Sequence, residues 1–152
     1  MQLIVFELSG ARCALAAAAV ERVVAVVEVT PLPGAPAVVE GVVDVKGAVA
    51  PVFDLRARFG LPARAPARWD HMLLARAGER RVCLRVDHVE GLVEVAPDRL
   101  VAGERVVLGL ERLAGVARLP DGLVVVHDLA AFLDQAEAAA LEAALAARGA
   151  AS

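Results

Sequence analysis

The chain has 152 residues, a formal net charge of −3 and a hydrophobic fraction of 59%. This length suits one domain or two small, intimately packed subdomains with a sizeable core. The charge balance gives no basic face for nucleic acid, and charges or prolines break the apolar runs well short of the ~20 residues that cross a bilayer.

Met1–Ala19 lacks a basic start and is interrupted by Glu7 and Arg12, so it is no secretory signal and a cytoplasmic protein is expected. Gln2–Leu8 reads as a strand, Ser9-Gly10 as its turn and Arg12–Ala16 as its return. Val20–Val29 is a long β-branched run, and the Pro-rich Thr30–Pro36 that follows cannot be a central strand. Ala37–Val39 suits one helical turn. Val42–Val45 and Val49–Phe53, broken by Lys46-Gly47, read as a hairpin. Asp54 can then cap a short Leu55–Phe59 helical segment, its carboxylate accepting free N–H groups of the first turn. Leu61–Arg68, with Pro62 and Pro66, is the clearest linker.

The second half begins with a strand over Trp69–Arg76, a turn at Ala77-Gly78-Glu79 and a return over Arg80–Val86. Val89–Val95 is a third strand and Pro97–Glu104 a loop. Arg105–Leu110 suits a strand or irregular chain. Leu113–Leu119 and Leu123–Asp128 make a second hairpin. Asp134 can cap a helix over Ala136–Arg148, which is nearly all Ala, Leu and Glu, and Gly149 suits its end. Leu133, Leu141 and Leu145, with Ala140 and Ala144, form a single apolar stripe, so this helix should lie on the body of the fold; a partner-binding helix is the alternative.

The hairpin occurs twice. Gly41 aligns with Gly115, Val42 with Val116, Val52 with Val126 and Asp54-Leu55 with Asp128-Leu129, while Lys46-Gly47 gives way to Pro120-Asp121-Gly122, also turn chemistry. Strands roughly every 8 to 12 residues with Gly and Pro turns predict small β-barrels or a sandwich, and the repeat predicts two alike.

Candidate chemistry is sparse. The only serines are Ser9, in a turn, and Ser152, at the terminus. A small thiol hydrolase would use Cys83 or Cys13 with His71, His88 or His127, and it requires a reactive, low-pKa thiol. In a cytosolic chain the two cysteines are better read as small buried hydrophobes than as a disulfide, and they are too few for structural zinc. Asp70-His71, Asp87-His88 and His127-Asp128 are neighbours in sequence, but adjacent strand residues face opposite ways. Asp54 and Asp128 fit capping better than acid–base work, and no glycine pattern suits a phosphate loop. No catalytic residue, metal site or cofactor is expected.

Two places suggest contact with another protein. Lys46, the only lysine, sits at the hairpin turn near Asp44 and Gly47. Val20–Val27 carries more valines than one buried face needs, so some are covered by a partner unless both sides of the strand are buried. Glu21 and Arg22 could pair with a partner there, and Val24 and Val26 could make its apolar contacts.

The series Glu40-Gly41-Val42, Lys46-Gly47, Pro51-Val52, Asp54-Leu55-Arg56 and Phe59-Gly60 closely resembles the CheW-like domain of bacterial chemotaxis coupling proteins, and the resemblance continues over nearly the whole chain. It implies a mainly β fold: two five-stranded SH3-like barrels side by side, with a C-terminal helix. On the linker reading, the first barrel spans 1–60, the linker 61–68, the second barrel 69–133 and the helix 134–149, all one CheW-like domain. Strand exchange between the barrels would blur that border.

The resemblance also implies a non-enzymatic scaffold that bridges the cytoplasmic tip of a chemoreceptor and the regulatory domain of a CheA-type histidine kinase in receptor arrays. Receptor contact falls on Asp44, Lys46 and Gly47, and Glu21, Arg22, Val24 and Val26 are left for the kinase. Two residues depart from the family pattern. Lys46 replaces an Arg, keeping the charge but losing the planar fork, and Asp44 replaces an Asn, losing a donor. An adaptor of another motility or biofilm system has the same fold and stays open.

Overall fold

The computed structural model describes residues 1–45, 47–59, 61–62, 70–77, 79–102, 113–129 and 135–151. Strands β1 (Gln2–Leu8) and β2 (Ala11–Ala16) form a hairpin, a 3₁₀ turn at Ala17–Ala19 follows, and then β3 (Val20–Ala25). β4 (Val39–Val45) and β5 (Ala48–Phe53) are the first repeated hairpin, ending in helix α1 (Leu55–Phe59). The second half supplies β6 (His71–Ala77), β7 (Arg80–Val86), β8 (His88–Glu94), a 3₁₀ turn at Pro97–Arg99, β9 (Leu100–Ala102), β10 (Leu113–Leu119), β11 (Gly122–His127) and helix α2 (Gln135–Ala151).

These strands form two sheets. One runs β8-β1-β2-β11-β10-β9 and the other β3-β6-β7-β5-β4. Residues 95–99 alone carry the chain from one edge of the six-stranded sheet to the other. They reach at most ~3.5 Å each, whereas six flat strands at ~4.8 Å spacing would be ~24 Å across, so the sheet curls towards a barrel. In the five-stranded sheet the segment after β3 does the same, and Thr30 bridges Val42 on the far edge strand.

The mainly β, two-barrel expectation holds, with corrections. The border at 61–68 does not divide the sheets. The β1–β2 hairpin joins the sheet built from β8 to β11, and the β6–β7 hairpin joins β3, β4 and β5. Each hairpin is attached to the opposite half through a parallel pair, β2 with β11 and β5 with β7. A hairpin alone cannot bury its apolar face, and the face it finds belongs to the other half. One sheet has six strands rather than five because β9 forms where a loop was expected: its three residues pair with β10, a tertiary contact that local turn residues do not announce. Val20–Val29 is strand only to Ala25, and the helix runs past Gly149 to Ala151. The expectations for Gly60, most of the linker, Trp69, Gly78, Arg105–Leu110, Leu133 and Asp134 lie outside the described residues.

Three apolar cores follow. One interior holds Leu3, Val5, Ala14, Val124 and Val126. The other holds Met72, Leu74, Cys83, Ala50 and Val52 at the equivalent positions of the repeat. A third core lies between the sheets, where Phe6, Leu8 and Leu15 meet Phe53, Leu73 and Leu84, and Leu141 and Ala144 of α2 dock against it. This places the helix stripe on the body of the fold, as its pattern predicts.

The repeated glycines mark equivalent bulges, between Val39 and Gly41 and between Leu113 and Gly115. A Cβ on Gly41 would sit 2.2 Å from the Thr30 carbonyl oxygen, so only glycine admits the bridge there.

Candidate functional site

The β4–β5 hairpin presents the first surface. The Gly47 N–H donates to Asp44 Oδ1 at 2.8 Å, and Gly47 takes φ +86°, the left-handed conformation that glycine adopts at little cost. Asp44 therefore organises the turn in addition to being exposed. Lys46 lies outside the described residues. Beside the turn, Val49 is 58% exposed and borders an open cleft of about 380 Å³ lined by Pro51, Glu79, Arg80, Arg81 and Leu145. Arg80 is paired with Glu142 of α2.

The second surface lies on β3, which among the described residues is an edge strand paired with β6. Here burial divides the residues named from the sequence. Val24 and Val26 pack against the interior of their barrel, where Val93 and Val95 stand in the other. Val23 and Val27 are the exposed valines, at 42% and 38%. Glu21 is already taken, with Arg76 at 2.9 Å and Arg81 at 3.2 Å. Arg22 is exposed. The alternation was legible, but its phase was not: a strand with valines on both faces does not say which face is inside.

Two buried ion clusters escaped the sequence reading. Arg85, 4% exposed, pairs with Glu40 and, at 3.2 Å, with Asp70. Arg56, 1% exposed, pairs with Asp87. Glu40 and Arg56 both sit inside the recognised motif, but their partners lie far along the chain. Asp54 behaves as read: its Oδ1 accepts the Arg56 N–H at 3.1 Å. The turn after Asp128 lies largely outside the described residues.

Burial pushes the Cys13 thiol up to about 11. Burial, with Glu40 nearby, pushes Cys83 up to about 12. Such thiols stay protonated at neutral pH and are poor nucleophiles, which weighs against the thiol hydrolase. No group of three or more His, Cys, Asp or Glu is placed to hold a metal among the described residues. Among them, too, no helix is long and apolar enough to cross a membrane.

The comparisons agree with this architecture. The chain is 40% identical over 67 residues to the chemotaxis protein CheW of Rhizobium meliloti, an alignment covering 44% of this chain and 43% of that protein. It is 25% identical over 134 residues to the chemotaxis protein CheW of Treponema pallidum, covering 84% and 79%. The crystal structure of the scaffolding protein TtCheW from Thermoanaerobacter tengcongensis superposes with a TM-score of 0.82 at 23% identity, covering 90% of this chain and 94% of that one, which speaks for the fold. The model of the CheW-like domain matches residues 2–137, and the chain belongs to that family.

Proposed function

We propose that this protein is a non-enzymatic coupling scaffold of bacterial chemotaxis that bridges chemoreceptors and a CheA-type histidine kinase. The family match over residues 2–137 carries the reading. The relatives named above are chemotaxis proteins, so the adaptor of another motility system is not favoured. The receptor side is the β4–β5 turn with Asp44, Lys46 and Gly47. The kinase side is β3 and the residues that follow it, with the exposed Arg22, Val23 and Val27 taking the place of Val24 and Val26, which pack against the core. Exposed ion pairs contribute only ~0.2–1 kcal/mol each, so the exposed valines supply most of that affinity. The protein works in the cytoplasm, in receptor arrays at the inner membrane.

The test is calorimetry of the chain with the regulatory domain of a CheA-type kinase from the same genome, beside receptor co-sedimentation. Lys46→Glu should abolish co-sedimentation and leave kinase binding intact, while Val23→Asp should do the reverse. Absence of binding to any such kinase would overturn the reading.

A further inference from the structure

The chain crosses between the sheets at two places in the β-strand body. One is the 3₁₀ turn Ala17–Ala19; the other is a single residue, Asp87, between β7 of one sheet and β8 of the other. The contacts of Asp87 come from both sides. Its N–H donates to the Glu7 carbonyl of β1 at 3.0 Å. Its Oδ2 accepts the N–H of Ser9, in the β1–β2 turn, at 2.8 Å. Its Oδ1 pairs with Arg56 of α1, the helix that ends β5 of the other sheet. Arg56 Nε also donates to Ser9 Oγ at 3.3 Å, closing a ring of three residues. Ser9 is held at φ +49°, the one non-glycine residue with positive φ among those described. Serine is not a favoured residue for that conformation, and here its side chain and its N–H are both engaged in the ring.

Around the ring, the contact between the sheets includes a large apolar core and an edge-on pairing of the His71 and His88 rings, 6.4 Å between centroids. Apolar packing limits the shapes the interface can take, but it is built from many weak contacts with no preferred direction of their own. Charge-assisted hydrogen bonds are directional. We propose that the Arg56–Asp87–Ser9 ring is the pin of an inter-sheet hinge: it sets the angle between the two barrels and so carries the coupling between partners bound to the protein. The coupling part rests on the scaffold function proposed above, and the geometric part does not. These are positioning residues, and none lies on either proposed docking surface.

Pulsed electron resonance on the full chain tests the geometry. Spin labels at Val49→Cys and Leu123→Cys, 58% and 66% exposed, report across the sheets. Labels at Val23→Cys and Val49→Cys report within one sheet. The native Cys13 and Cys83 are buried and should stay unlabelled. Asp87→Asn should shift or broaden the inter-sheet distances and leave the within-sheet pair unchanged. If Asp87→Asn fails to fold, Asp87→Glu keeps the charge and moves the carboxylate by one methylene. Unchanged inter-sheet distances in a folded variant would overturn the proposal.

Unlabelled protein tests the coupling. In the parent, a receptor-tip fragment should change kinase-domain affinity by about fivefold or more. In the Asp87 variants that ratio should fall to one, with each separate affinity kept within about twofold. A ratio unchanged by a displaced hinge would remove the coupling role. If the parent binds no kinase, the scaffold reading fails, and the distance measurement alone decides the hinge.

Discussion

The two barrels share their interiors and differ in what surrounds them. Leu3, Val5 and Ala14 fill one as Met72, Leu74 and Cys83 fill the other. At one end of that interior the five-stranded sheet adds a buried charge cluster of Arg85, Glu40 and Asp70, Arg85 following Cys83 by two residues on the same face of β7. At the hairpin tips, Asp44 and Gly47 face Pro120-Asp121-Gly122. A β-interior accepts few shapes, because close packing penalises both voids and excess volume. The ends of the interior and the hairpin tips carry less of that restraint, and there the two copies of the unit differ.

The largest break in that symmetry should come from Arg85→Met. Removing the guanidinium leaves two carboxylates without their buried cation, which costs about 3–5 kcal/mol. Urea unfolding reads it, and a loss below about 1 kcal/mol would mean the cluster is idle. Next, Val24→Ala and Val93→Ala should each cost about 1–3 kcal/mol, because they stand at matching interior positions. Val23→Ala and Leu92→Ala, on exposed side chains, should stay within about 0.5 kcal/mol. Equal costs in the two sets would reverse the assigned phase of β3.

A different kind of break concerns pH. His127 stands where the repeat has Phe53, which is 2% exposed. Burial lowers the His127 imidazole to about 4 from its usual 6.5. The unfolded chain therefore takes up this proton first, so the stability that depends on a neutral His127 is complete above about pH 6.5 and is lost as pH falls towards about 4. His127→Phe should remove that part of the acid sensitivity, about 2 kcal/mol between pH 7 and pH 5. An unchanged slope would show that other groups carry it.

Much of this was legible before any coordinates. Asp54 as a cap, the Lys46-Gly47 turn and the repeated hairpins are local signals, since each depends on residues a few places apart. For the surfaces proposed for docking, the sequence indicates regions and not faces. The valine run of Val20–Val27 is visible in the sequence, but only the structure shows that Val23 and Val27 are exposed while Val24 and Val26 pack against the core. A one-residue change of phase exchanges the faces of a strand, and no neighbour in sequence reports it.

Periodicity, turn chemistry and the repeat thus settle what kind of elements the chain makes and that it makes them twice. Which half each hairpin completes was decided only in three dimensions. The parallel pairs β2–β11 and β5–β7 exchange hairpins between the halves, and Asp87 becomes a junction because Ser9 and Arg56 converge on it from distant parts of the chain. Those contacts follow from burying apolar faces that the local chain cannot cover, and burial is a property of the whole assembly of strands.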